Sequence, residues 1–480
     1  MGKKDRGAVS VYLALMMAVM IPLILTMMEA ARVGTIKLRM ECAADLSMDS
    51  VLAEYNRALF DRYDLLFIDT SYDGGYGSED ALCERLEYYL DRNLKPVKAI
   101  PLPGVKDPCD LKLDSLELTR VSRATDEGGA VFRYMALSYM LERYGIGYVA
   151  GAMDLMESSA SAQLSGTDVS AELFAAQGQV DAFEAPAPPE EEEAGEDWEE
   201  PPEKDRPADA VEASASAGLL LGQVIRGEIS GAVADLPALA SQRSLIVGDG
   251  MPEDWEDRNS LEEQLLFTEF IMEKCANYRE PKDGCQLKYE TEYVIAGKDN
   301  DRDNLESVAF KLFLLRGTSN TVYFFSDGAK QAEAEAMAAG LAFVCCVPEA
   351  QPLFKALIEA AWIYAETIND LKILFDGGKV PLVKSEADWK LSLSSALGMA
   401  ATGGEGGNGL TYQDHLRIFL YTTSLEKRTA RCMDVVEMDV RLAGYPDFRL
   451  DNCVAGATVQ LIVSSGYGYS FLMERRFRYA

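Results

Sequence analysis

The sequence predicts an α+β protein. A single N-terminal transmembrane helix continues into a long stalk helix, and a helix-rich soluble part with a mainly antiparallel sheet follows. Three observations carry this reading. Residues 8–28 are an almost unbroken apolar run. Residues 27–63 hold one glycine, Gly34, and no proline, with apolar side chains recurring at helical spacing. Stretches of alternating character, such as Leu111–Val121, read as strands set among longer helical segments.

The run AVSVYLALMMAVMIPLILTMM, from Ala8 to Met28, contains no charge. At about 1.5 Å per residue it reaches roughly 30 Å, the thickness of a bilayer core. Pro22 lies inside it, and a membrane helix either kinks at such a residue or tolerates it. Glu29-Ala30-Ala31-Arg32 follows, with a carboxylate where signal-peptide cleavage needs a small residue, so a retained anchor is expected. Lys3, Lys4 and Arg6 before the run balance Arg32, Lys37 and Arg39 after it. The short cationic head favours a cytoplasmic N-terminus and a translocated remainder.

Beyond the span, Val33, Ile36, Met40, Ala44, Val51, Tyr55 and Leu59 form an apolar stripe on a stalk that must be covered by the protein itself or by a partner. Tyr63–Asp69 reads as a buried strand ended by a turn at Ser71–Gly75. A helix capped by Ser78 runs to about Arg92, the strand Leu111–Val121 follows, and helices are expected from Gly128 to Gly145 and on to Phe183. Residues 184–209 combine prolines with a dense block of acids that repel one another, which makes a disordered linker. The expected organisation is a leader at 1–7, the span at 8–28, stalk and first α+β region at 29–183, the linker at 184–209, and a helix-rich α+β domain at 210–480.

In that last region helices are expected over Val211–Gly231 and Ser260–Tyr278, then a strand over Leu287–Ile295 from its alternation with Lys288, Glu290 and Glu292. Asp303 and Glu306 suggest a capping box that opens the next helix. Another helix begins near Ser326-Asp327, a long one spans Pro352–Phe375, and a helical pair covers Tyr412–Leu442. Two strands, Thr458–Val463 and Tyr467–Tyr479, end the chain.

A net charge of −32 argues against nucleic acid as a partner, since an acidic surface gains no counterion release from phosphates. Nine cysteines without a CxxC do not make a disulfide scaffold or a zinc site. Cys275 with Cys285, or Cys432 with Cys453, could close short loops, and Cys345-Cys346 in LAFVCCV reads as buried free thiols. Asp299-Asn300-Asp301-Arg302-Asp303 begins like a calcium loop, but Asn304 and Phe310 stand where it needs glycine and glutamate. Asp69-Thr70-Ser71-Tyr72-Asp73 resembles a metal-adhesion motif of von Willebrand type A domains, with Asp327 as a distant further acid. A turn after a strand is the plainer reading. The glycine-rich GGEGGNG lacks the Lys-Ser/Thr of a phosphate loop. The single histidine, His415, has no nucleophile setting around it and reads as a surface or boundary residue. No catalytic, cofactor-binding or metal-ligating residue is therefore expected.

The head RGAVSVYLALMMAVMIPLILTMMEAAR resembles the heads of TadE/TadG-type pseudopilins, single-span proteins of tight-adherence (Flp) pilus machinery. Gly7 before the run and Glu29 at its outer end carry the match. Segments such as YVIAGKDNDRDNLESVAFKLFLLRGTSN and LTYQDHLRIFLY resemble an uncharacterised clostridial-type domain family associated with such genes. The resemblance implies a membrane-anchored, extracytoplasmic accessory component that meets pilin and other pilus-assembly proteins, held by the bilayer through Ala8, Pro22, Met28 and Glu29, without enzymatic activity or cofactor. Cutting between Gly7 and Ala8 would place Tyr12, not glutamate, at the fifth position, so a permanent anchor is the expectation. The rival reading is a cell-surface adhesin that binds calcium through Asp69 or Asp299.

Overall fold

The apolar run and the periodic stretch after it form one 49-residue helix, α1 (Lys4–Leu52). It opens the computed structural model, which describes residues 4–72, 77–95, 107, 109–144, 217–252, 255, 260–398, 407 and 409–479. The expected linker at 184–209, the helix leading to Phe183 and Asp73 lie outside the described residues. The chain divides into two units, one of residues 1–139, 243–258 and 443–480, the other of residues 140–242 and 259–442.

In the first unit α1 is followed by α2 (Arg57–Tyr63), β1 (Ile68–Asp69) and α3 (Glu79–Leu94), the last capped by Ser78 as expected. The strand expected over Tyr63–Asp69 is only its last two residues, because Asn56 caps α2 and keeps Tyr63 helical. The expected strand at Leu111 is β2 (Leu111–Arg123), which leads into α4 (Asp126–Tyr144). The two C-terminal strands, β3 (Cys453–Ser465) and β4 (Ser470–Arg478), complete an antiparallel sheet. β3 is central, with β2 along one edge and β4 then β1 along the other. Residues 443–480, expected in one domain with residue 210 onward, thus join the unit that carries α1. Gly456 of β3 lets two backbones meet, since a Cβ there would lie 2.6 Å from the Phe477 carbonyl oxygen.

The second unit is helical. Its elements are α5 (Ala217–Val224), α6 (Leu261–Lys274), α7 (Glu290–Ala296), α8 (Asp301–Ser326), α9 (Gly328–Val344), α10 (Gln351–Phe375), α11 (Leu393–Leu397), α12 (Tyr412–Thr422) and α13 (Leu425–Leu442). Ser260 and Glu263 form a capping box on α6, as Thr411 and Asp414 do on α12. The box expected at Asp303 and Glu306 is displaced: Asn300 is the cap, and Asp303 accepts from its side-chain amide at 2.8 Å. The strand expected over Leu287–Ile295 is instead helix α7. One aromatic core packs Phe324, Trp362 and Trp389 against Ala334 and Ala338, and both indole N–H groups donate to the Leu391 carbonyl. Alanines on α9 let α8 and α10 bring these large rings together.

Candidate functional site

Helix α1 changes character at Glu29. Residues 9–28 are exposed on every side, whereas from Ile36 one face is buried through Met40, Ala43, Ala44, Ser47, Met48 and Val51. An all-round apolar surface without protein cover suits lipid, and a striped one suits a protein core. One N-terminal helix is thus long and apolar enough to span a membrane.

Two elements cover the stripe. On one side α3 packs through Leu82, Leu86, Leu90 and Leu94, spaced four apart so that they share a face. Polar ties fix its register: Asn93 donates to Ser47 at 2.9 Å, Arg39 to the Leu94 carbonyl at 2.8 Å, and Arg85 and Tyr89 to Glu54.

On the other side β4 and the residues flanking it run along α1. Tyr469 donates to the Glu29 carboxylate, the Lys37 ammonium lies 5.8 Å from the Phe471 ring centroid, and Arg475 lies 3.5 Å from Glu41 and 3.6 Å from Asp45. At the far end Tyr479 donates to the Leu52 carbonyl at 2.6 Å. The stretch from Glu29 to Leu52 at about 1.5 Å per residue, and from Tyr469 to Tyr479 at about 3.4 Å, both come to roughly 34 Å. Helix and strand therefore advance together, and alternate residues of the strand meet the helix. Met473 and Phe477 on that face are buried, while Leu472 on the other is exposed.

The top of this brace is polar and aromatic. Glu29 accepts from Arg32 at 2.8 Å, and the Arg32 guanidinium sits 4.5 Å from the Tyr467 ring centroid. The Tyr469 phenol has its pKa raised, first because it donates to the Glu29 carboxylate.

Of the residues marked in the sequence, Gly7, Ala8, Pro22 and Met28 all fall within α1, and Glu29 marks its change of surface. Pro22 lacks an amide to donate, yet α1 runs through it unbroken. Asp69 accepts from the Ser71 amide at 3.0 Å, a turn contact, and Asp327 caps α9 through the Ala329 and Lys330 amides. Asp301 is buried and accepts from the Lys288 and Tyr289 amides at 2.9 and 3.1 Å, while Asp299 stands beside the Asn300 amide at 2.9 Å. These acids are held by backbone and side-chain amides of turns and caps.

His415 is buried rather than superficial, because its Nδ1 lies 2.7 Å from the Thr411 carbonyl one turn back on α12. Burial, aided by the Arg316 cation, lowers its pKa to about 4, so it is neutral at pH 7. Cys345 and Cys346 are exposed, not buried, since they follow the end of α9 next to exposed Phe343 and Val344. All nine cysteines are free, and the Cys275 thiol hydrogen-bonds to Cys432 rather than pairing with Cys285.

Two buried polar clusters of the second unit were not legible beforehand. In one, Lys384 bridges Glu366 and Asp370 (2.7 Å to the latter), and Arg316 meets Asp370 at 3.1 Å, all essentially without exposure. In the other, the Cys285 sulfur and carboxylate oxygens of Glu290 and Asp439 lie within 4.8 Å of one another. Glu290 accepts from the Ala276 amide at 2.7 Å, and Asp439 from the Gln286 amide at 3.0 Å. Burial and the facing Asp439 push the Glu290 carboxyl well up, which favours its protonated form. A cleft of about 410 Å³ is lined by Glu269, Glu273, Glu280 and Arg417, and Arg417 is already paired with Glu269 at 2.8 Å and Asp414 at 3.1 Å.

The family model of DUF5702, a family of unknown function, matches residues 197–465, more than half of the chain. No curated protein and no solved structure matches.

Proposed function

The chain belongs to the DUF5702 family, and we propose that it is a single-pass, membrane-anchored extracytoplasmic accessory component of a tight-adherence (Flp) pilus or secretion apparatus, acting through protein contacts rather than catalysis. The observation that carries the proposal is the continuity of α1. One helix is bare and apolar over residues 9–28 and then becomes the spine of the first unit, braced by α3 and β4. Anchor and stalk are then a single element, so the unit around the stalk is held close to the bilayer surface. The pseudopilin-like head, with Gly7 before the run and Glu29 after it, supports a pilus setting. The acidic surface fits contact with proteins better than with phosphates or anionic lipid.

Protease shaving of intact cells and of protoplasts, with a C-terminal tag, tests the topology. The expected result is loss of the tag with a protected N-terminal fragment, and co-purification of pilus components through the tag. A tag protected in protoplasts would place the large part inside and overturn the proposal.

A further inference from the structure

We infer that the tip of the β3–β4 hairpin, with Tyr467 and Tyr469, is seated in the headgroup layer of the bilayer that holds α1, as a second membrane contact. The inference rests on the reading of residues 8–28 as a span. Glu29 is the first residue after the apolar run, and Tyr469 is bonded to it. Arg32, three residues further and so about 4.5 Å along the axis, carries the Tyr467 ring. The polar layer on each side of a hydrocarbon core is roughly 5–8 Å thick. Both tyrosines therefore fall within it.

The tip is built for a fixed position. The Ser465 amide donates to the Tyr469 carbonyl at 2.7 Å, and Gly468 takes the positive φ of 85° that the turn requires. The Gly466 amide donates to the Asp110 carbonyl at 2.8 Å, and the Tyr467 hydroxyl to the Asp107 carbonyl at 3.2 Å. Tyr467 is nevertheless 41% exposed. A ring that is apolar in body and polar at its edge suits the interface, and Arg32 brings a cation to the level of the phosphates. Two contacts, the span and the hairpin, fix the tilt of α1 where one would leave it free.

Depth-dependent quenching tests this on the full chain in phosphatidylcholine vesicles whose acyl chains are brominated near the headgroup or near the bilayer centre. Fluorescence of Y467W, M17W and L472W is read as the difference from the wild-type chain. Quenching of Y467W that is stronger with shallow than with deep bromine is expected. M17W should show the reverse order, and L472W, about 10 Å further along the strand from Tyr469, should escape. M17W quenched with Y467W untouched would overturn the inference and leave the span standing. Neither quenched would remove the span reading and the inference with it. Should Y467W fail to accumulate, Y469W reads the same layer with the same outcomes.

Discussion

Tyr469 donates its phenolic proton to Glu29, a bond between residues 440 apart in sequence that fastens the hairpin tip to the first turn beyond the apolar run. The pair is half-buried at the edge of the unit, so its contribution is to local order rather than to global stability. Y469F and E29Q are expected to leave the melting temperature nearly unchanged while speeding hydrogen exchange at the Ser465 and Gly468 amides. Exchange mass spectrometry reads this peptide by peptide. Unchanged protection of the turn in both variants would show that Asp110 and Asp107 alone hold it.

Cysteine burial makes a second expectation. Cys42, Cys345 and Cys346 are exposed, whereas Cys109, Cys275, Cys285, Cys432 and Cys453 are buried. Reaction needs an accessible thiolate, and burial denies access; at Cys275 the hydrogen bond with Cys432, and then burial, also push the thiol pKa up. Brief native treatment with iodoacetamide should label the first three and spare the buried five until denaturant is added. Peptide mapping decides, and early labelling of Cys275 or Cys432 would contradict the packing of α6 against α13.

Most of the helices were legible because an apolar period of three and four survives wherever one face meets water. The failures share a physical cause. Glu290 and Glu292 were read as the wet face of a strand, yet both are fully buried in α7, where Glu290 accepts from the Ala276 amide and Glu292 from the Tyr278 amide and the Tyr412 hydroxyl. Alternation of charge with aromatic residues signals a strand only if the charges are solvated. His415 was misplaced for the same reason, its partner being a carbonyl that sequence does not display. The last strand was expected over Tyr467–Tyr479, but α1 along one of its faces was not. Long-range partnership between a helix and a strand of matching length leaves no local periodicity to read.

Lys384 is a buried charge of the second unit. Its ammonium lies between Glu366 and Asp370 with no exposure, and Glu366 also receives the Lys390 and Leu391 amides. Removing one member of a buried ion pair leaves its partner uncompensated and typically costs about 3–5 kcal/mol. K384M keeps the aliphatic stem and should still lose stability of that order, measured as a drop in the urea midpoint at constant slope. A loss below about 1 kcal/mol would mean that Arg316 takes over both acids.

Glu290 yields the sharpest pH test. Its folded pKa lies well above the ordinary carboxylate value, by burial and the facing Asp439. The folded state therefore keeps a proton that the unfolded state has released, so this group's stabilisation is complete below about pH 4.3 and declines as pH rises toward the folded pKa, by roughly 1.4 kcal/mol per unit. E290Q preserves an oxygen to accept the Ala276 amide and supplies N–H to donate to Asp439, without a proton to lose. It should match the wild type at acid pH and exceed it in stability as pH rises to 8. E290A should be weaker at every pH, since it leaves the Ala276 amide without its acceptor in the core. Denaturant melts across this range separate the three chains. A wild type that instead gained stability over E290Q with rising pH would mean the carboxylates are ionised together, which in a buried site with Cys285 alongside requires a bound cation. Zinc and calcium titrations of the melting temperature would then identify it.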